Sequence, residues 1–446
     1  VGQFRRWSAT TLLLVMLVQP QARAYSVLTH EEIVDMVWLD QIQPLLKHRF
    51  PQITADQIKE AHAYAYGGAV MPDMGYYPFG SSYFSNLVHY VRSGDFVANL
   101  LKDSADPDEY AFALGALAHY CADLSGHPAV NRATAIEYPK LQRKFGPSVT
   151  YEEDKAAHIK VEFGFDVVQV AKERFAFDQY HSFIGFQVSK PLLERAFLET
   201  YGVPLDSVLT HEDLAIGTFR WSVSKVIPEM TKVALVTRGK QMLKEHPDFN
   251  RQKFLYRLSR TDYQREWGKQ YQRPGFGARL LSVLLRIIPH IGPFKALKYQ
   301  DPTPQTEDMY FKSVNDTITM YSASLKTIAA ASPGEVKLAD RDYDTGQTTA
   351  PGEYRLTDDT HARLLRQLAE KDFTQTSPPL REYLLNYYSD PNAKDFSRRH
   401  KDEWQRTQQA IAKLKSRPAE TENPPSAAPQ SKAPQSPTPQ NTDQPH

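Results

Sequence analysis

Three side chains at a repeated four-residue spacing, His119, Asp123 and His127, define the chemistry to look for. On a helix turning roughly 100° per residue they drift by only about 80° in total, so they share one face. Their neighbours Ala116, Leu117, Ala118, Cys121 and Ala122 are apolar, which places an acid between two imidazoles on a buried surface. A buried carboxylate needs a partner, and a metal ion is the simplest one. His158 and Glu162 repeat the i, i+4 spacing and present two more ligands, although such a pair alone also reads as a solvated helix face. Zinc takes His nitrogen and carboxylate oxygen at roughly 2.0–2.2 Å, and a hydrolytic site keeps one position open for water. Two helices presenting three and two such groups can hold more than one ion.

Further candidates lie upstream. His30 falls in the first turn of an early helix, Asp73 in a Gly/Pro loop, and His89 on the helix after it. Each alone reads equally as a packing residue, and His48 and His62 have no partner at suggestive spacing. Seven of the 14 histidines nevertheless lie between His30 and His158, so imidazole is concentrated in the first third of the chain. Cys121 is the single cysteine, which excludes an intrachain disulfide framework and a multi-cysteine zinc site. With 53 Lys+Arg against 52 Asp+Glu the chain has no overall basic footprint of the kind non-specific nucleic-acid binding requires.

The elements that must position these groups are helices. Thr29-x-x-Glu32, Thr54-x-x-Gln57 and Thr150-x-x-Glu153 read as capping boxes. Asp106-Pro107-Asp108-Glu109 offers an N-cap, a proline at the first helical position and an acidic first turn. Helices are expected through Ile33–Leu46, Ile58–Tyr66, Tyr83–Leu101, Tyr110–Asp123 and Ala156–Arg174, with Gly67-Gly68 and Met71–Gly75 in a loop. The central helix is expected to stop near His127, between Gly126 and Pro128. Pro191–Thr200, Glu212–Arg238, Glu307–Ala331 and Thr360–Lys371 continue the pattern, and no alternating β-branched run suggests a sheet. The expected class is an all-α irregular helical bundle with a mainly helical C-terminal extension.

Four segments are expected. Residues 1–24 read as a signal peptide, with Arg5 and Arg6 before an apolar Thr11–Val18 and a small-x-small close at Ala22-Arg23-Ala24. Cleavage there makes Tyr25 the mature terminus of a secreted or periplasmic protein. Residues 25–240 then form the domain carrying the site, and 241–416 a helical region of unassigned role. Residues 417–446, with eight prolines in 30 residues, read as a disordered tail.

The order His30, Asp73, His89, His119/Asp123/His127, His158/Glu162 resembles the zinc-dependent phospholipase C and S1/P1 nuclease superfamily. The resemblance rests on Leu28–Ile33, Gly68–Asp73 and Ala118–Pro128, and covers about residues 25–240. It is nearest to the branch that includes the catalytic domain of glycosylphosphatidylinositol-specific phospholipase D, because the gap from Asp123 to His127 is short. The resemblance implies an all-α enzyme with two or three zinc ions. Asp73, His89, His119 and Asp123 would hold one ion, and His127, His158 and Glu162 a second. His30, a bridging Asp123 and the terminal amine and carbonyl of Tyr25 would hold a third. Asp73 would also serve as the catalytic base or water-orienting group. The signal-peptide and metal readings thus meet independently at Tyr25.

The implied reaction is phosphodiester hydrolysis by zinc-activated water, with a phospholipid head group as the expected substrate. An S1/P1-like single-strand nuclease, and a non-catalytic metal- or lipid-binding protein, are the alternatives. Tyr76, Tyr77, Phe79, Tyr83 and Phe84 follow Asp73 and would suit a lipid mouth, base stacking or plain packing. Phe276–Tyr299 combines apolar residues with Arg279, Arg286, Lys295 and Lys298 and no acid. It reads either as a peripheral membrane contact or as a core helix. No stable nucleic-acid partner is expected.

Overall fold

The computed structural model describes residues 27–171, 186–221, 300–332, 334–390 and 401–417. The expected signal peptide, Tyr25, the boundary near residue 240, the Phe276–Tyr299 segment and the tail beyond Arg417 lie outside these. The described residues form an all-α fold without a strand; a single isolated bridge pairs Asp342 with Gln347.

The organising element is α6, Pro107–Glu137, whose start is set by Asp106 accepting a hydrogen bond from the Glu109 amide. Its side chains are apolar on nearly every face, the pattern of a helix buried all round. Around it pack α1 (Val27–Val37), α3 (Ala55–Val70), α5 (Ser93–Asp103), α8 (Lys155–Ala171) and α11 (Pro304–Ala330). Helices α9 (Lys190–Tyr201), α12 (Arg355–Glu370) and α4 (Ser82–Tyr90) complete the inner layer. The other α-helices among the described residues are α2 (Gln43–Arg49), α7 (Pro139–Phe145), α10 (Glu212–Trp221), α13 (Pro378–Tyr388) and α14 (Lys401–Ser416). Tyr321, Leu325, Leu364 and Leu365, from beyond residue 300, belong to the same continuous core as Val34, Ala65 and Leu117.

Helix α6 does not stop at His127. It runs nine residues past Pro128, because Ala129, Val130, Ala133 and Ala135 are buried and their packing outweighs the hydrogen bond that proline removes. Nor do Gly67 and Gly68 lie in a loop. They sit in the last turn of α3, where a Cβ on Gly68 would stand 1.9 Å from the Phe112 carbonyl oxygen on α6. Gly115 answers from the other side, 2.0 Å from the Ala65 carbonyl oxygen by the same measure. These glycines let the two helices approach backbone to backbone. The Thr54 box forms as expected, with both reciprocal bonds in place. The Thr29 box does not. Thr29 is inside α1, and its hydroxyl bonds Asp166 and Tyr310 instead. At Thr150 the Glu153 carboxylate closes a turn, and Asp154 caps α8 through the Ala157 amide. The helix expected over Tyr83–Leu101 is two, α4 and α5, broken at Arg92, which adopts φ 49° and sends its guanidinium to the Thr200 carbonyl.

The close approach of α3 and α6 predicts a sharp contrast between two glycine substitutions. Gly68→Ala should destabilise by about 1–3 kcal/mol or more through overpacking. Gly217→Ala, in a helix with nothing within 4 Å of the added carbon, should instead stabilise by roughly 0.5–1 kcal/mol. Thermal unfolding of the two variants beside the parent measures both signs.

Candidate metal centre

The eight side chains singled out in the sequence converge in the interior, each at most 2 % exposed. Four helices and a short segment deliver them. His30 comes from α1, His119, Asp123 and His127 from one face of α6, and His158 and Glu162 from α8. Asp73 lies on the 3-10 segment Met71–Tyr76, which continues α3, and His89 near the end of α4. Ser85 ties those last two together. Its hydroxyl donates to the Pro72 carbonyl at 2.5 Å and accepts from the Gly75 amide at 3.0 Å, one turn before His89.

Asp123 is the hub. Its Oδ1 lies 3.5 Å from His30 Nε2, and its Oδ2 lies 2.9 Å from His119 Nε2 and 3.5 Å from both His89 Nε2 and His127 Nε2. His89 Nε2 also stands 3.5 Å from Asp73, and His158 Nε2 stands 2.7 Å from Glu162. The donors fall into three groups of convergent atoms: His30/His119/Asp123, Asp73/His89/His119 and His127/His158/Glu162. His119 thus reaches two of the groups, and Asp123 presents one oxygen to each side, the arrangement of a bridging carboxylate.

The surroundings prepare these atoms for a cation. His89 Nδ1 donates to the Ser85 carbonyl at 2.7 Å and His119 Nδ1 to the Ala69 carbonyl at 2.8 Å, which turns each Nε2 lone pair inward. The inward nitrogens of His89, His119, His127 and His158 and both oxygens of Asp123 make no hydrogen bond. Two donors on one tetrahedral zinc, each bound at about 2.0–2.1 Å, stand about 3.3 Å apart, a value within the 2.7–3.5 Å range of the contacts here. The donor chemistry, hard carboxylates with imidazoles and no thiolate, fits zinc in a hydrolytic site. Cys121 is buried on α6, and burial pushes its thiol up to about 12, so it is an inert packing group.

The electrostatics point the same way. Burial opposes the charge on Asp123, but His119 and His127 outweigh it and hold the carboxyl well below its usual range. Burial likewise lowers His89, against which Asp73, Asp123 and Asp344 raise it overall. His158 is pushed well below the usual imidazole range by burial and by His127, and so stays neutral and ready to ligate. Such a concentration of buried carboxylate is stable only with compensating cations.

The remaining sequence candidates fall elsewhere. His62 Nε2 donates to the Asp35 carboxylate at 2.8 Å and its ring stacks on Trp38, while His48 lines a separate cavity with Leu45, Arg49 and Leu101. Of the five aromatics after Asp73, only Tyr76 faces the centre, its ring 6.0 Å from His89. Tyr77 packs edge-on against Phe219, Tyr83 lies under Arg363 and Phe84 stacks on Phe197; Phe79 is exposed. Two acids were not anticipated. Asp166 extends the His158–Glu162 stripe by another four residues, a signal present in the sequence, and it accepts hydrogen bonds from the Leu28 amide and the Thr29 hydroxyl. Asp344 arrives from a distant segment, without any local spacing to announce it.

Three groups of buried His, Asp and Glu donors, two of them sharing His119, thus stand on a helical bundle in an arrangement that could hold metal ions. Residues 29–210, the stretch that supplies all eight donors, match the family model of the zinc-dependent phospholipases C. No curated protein and no solved structure matches the chain.

Asp123→Asn should keep the helix but lose the bridging charge, so the purified protein should carry fewer zinc ions by elemental analysis. His62→Gln should retain the full complement. Chelation of the parent should lower its unfolding free energy by about 3 kcal/mol or more, the linkage expected when a ligand present at a hundredfold over its Kd is removed. Equal zinc in parent and Asp123→Asn would refute the placement of Asp123.

Proposed function

We propose that this chain is an exported zinc-dependent phosphodiesterase that hydrolyses the head-group phosphodiester of phospholipids. The convergence of eight buried donors into three groups carries the reading, with the family-model match of residues 29–210 beside it. Asp73, His89, His119 and Asp123 would hold one ion, and His127, His158 and Glu162 a second with a position left for water. His30, Asp123 and the backbone of a mature Tyr25 would hold a third. Bound zinc supplies positive charge for the non-bridging phosphate oxygens and lowers the pKa of water towards about 7.

The protein's own part is orientation and proton management. The imidazoles are fixed by carbonyl partners, so the donors need no rearrangement to act. Asp73 would accept a proton at its carboxylate from the attacking water, beside His89. Tyr76, Tyr343 and Tyr151 form an aromatic wall, their rings 6.0 and 5.1 Å from His89 and 5.9 Å from His158 respectively. Such a wall suits a lipid head group and its glycerol, and the near-zero net charge supports lipid over a polyanionic strand. Entry of the head group requires movement of these side chains, since the donors beneath are at most 2 % exposed. No helix among the described residues is long and apolar enough to cross a membrane. The short gap between Asp123 and His127 supports kinship with the phospholipase D branch.

Parallel assays on phosphatidylcholine vesicles and single-stranded DNA decide the substrate class, with turnover of the lipid alone expected. Release of diacylglycerol against phosphatidic acid then identifies the bond cleaved. DNA turnover would establish the nuclease reading, and a fully zinc-loaded but inert protein the binding-protein reading. A second expectation concerns the terminus. A protein beginning one residue before Tyr25 should bind one zinc fewer than a protein beginning at Tyr25. If it keeps every ion and full activity, the terminal amine is no ligand.

A further inference from the structure

Residues 338–354 cross the metal centre as a strap from the C-terminal side of the molecule, outside the stretch matched by the family. The strap is fastened throughout. Asp340 accepts from the Gly94 and Asp95 amides at 2.9 and 3.0 Å, capping the open N-terminus of α5. Tyr120 donates to the Ala339 carbonyl, and the Tyr343 amide donates to the His89 carbonyl left free where α4 breaks. Asn131, one turn beyond His127 on α6, donates to the Asp344 carbonyl at 2.8 Å. Gly346, at φ 71°, lies so close to Leu124 and Pro128 that a Cβ would stand 2.8 Å from the Leu124 oxygen.

These fastenings aim one side chain inward. Asp344 is 1 % exposed. Its Oδ2 accepts from Tyr90 at 2.8 Å and from Tyr354 at 2.5 Å, whereas its Oδ1 makes no hydrogen bond and points at His127 Nε2, 3.3 Å away. That separation equals the spacing of two donors on one zinc, about 3.3 Å. A carboxylate with one oxygen oriented by two hydroxyls and the other left bare is the arrangement that outer-shell hydrogen bonds impose on metal-ligating acids. We infer that Asp344 is a ninth side chain of the metal centre, a carboxylate donor to the ion on the His127 side, with Tyr90 and Tyr354 as its positioning residues. This rests on the zinc reading of the site and adds a donor that the matched stretch does not contain. The multiple anchors argue that the strap holds Asp344 in place rather than obstructing the site temporarily.

The test is zinc binding by Asp344→Asn, read by elemental analysis and by competition with a chromophoric chelator, with the cobalt-substituted protein's visible spectrum as a second readout. One ion should bind roughly 10–100-fold more weakly than in the parent while the others are unchanged, and the cobalt spectrum should change. Thr357→Val serves as the folding control. It removes the hydroxyl that bonds Asp342 within the strap but leaves Asp344 intact, so it should lower Tm without losing zinc. Identical zinc affinity in Asp344→Asn and parent overturns the inference, as does zinc loss of equal size in Thr357→Val. So does full zinc in Asp344→Ala with raised turnover, the behaviour of an obstructing side chain. A parent that binds no zinc at all would instead overturn the underlying metal reading.

Discussion

A carboxylate with no water around it dictates much of this molecule. Asp123 is fully buried in the middle of the central helix, and its two oxygens are faced by four imidazoles. An isolated charge in such a place is untenable, so the fold must bring compensating groups to it or the residue must be neutral. The groups come from α1, α4 and α6 itself. For them to reach a single oxygen pair, the helices around α6 must approach more closely than ordinary side chains allow. Gly68 and Gly115 supply that approach between α3 and α6. The same contact sets the Ala69 carbonyl where it receives His119 Nδ1, so packing and ligand orientation are decided by one pair of backbones.

Local spacing made the α6 and α8 donors legible, because residues four apart on one helix share a face whatever the rest of the chain does. His30, Asp73 and His89 were legible only as members of an ordered set, since nothing in their own neighbourhoods separates a ligand from a packed polar group. Termini and turns were the least legible. Pro128 and Gly126 signal a stop by local chemistry, yet the buried alanines and valine beyond them carry α6 onward. Thr29 has the pattern of a cap, yet its hydroxyl is taken by Asp166 and Tyr310, 137 and 281 residues away. In each case a tertiary contact outweighed a preference worth about 1–3 kcal/mol.

The two unanticipated acids differ in an instructive way. Asp166 continues the stripe of His158 and Glu162, but its partners are the amide of Leu28 and the hydroxyl of Thr29 at the start of α1. It clamps the segment that carries His30 rather than joining the donors around Asp123. Equal spacing on one helix therefore serves two tasks, and only the partner tells them apart. Asp344 has no helical spacing at all. Its direction is fixed by Asn131, Tyr90 and Tyr354, three contacts that no reading of residues 338–354 in isolation contains.

The C-terminal helices follow from the same constraint. Helix α11 lies along α6, Tyr321 donates to the Leu114 carbonyl, and Tyr310 stacks on Phe165 of α8 while meeting Thr29 of α1. Three of the helices that carry donors are therefore braced by α11. The strap that follows it then caps α5, pairs with the end of α4 and closes over His127. Removing such bracing would admit water to the contacts between Asp123 and the imidazoles and weaken them. The helices that hold the donors and those that follow residue 300 thus share one buried interior, and the rigidity of the centre is a property of both.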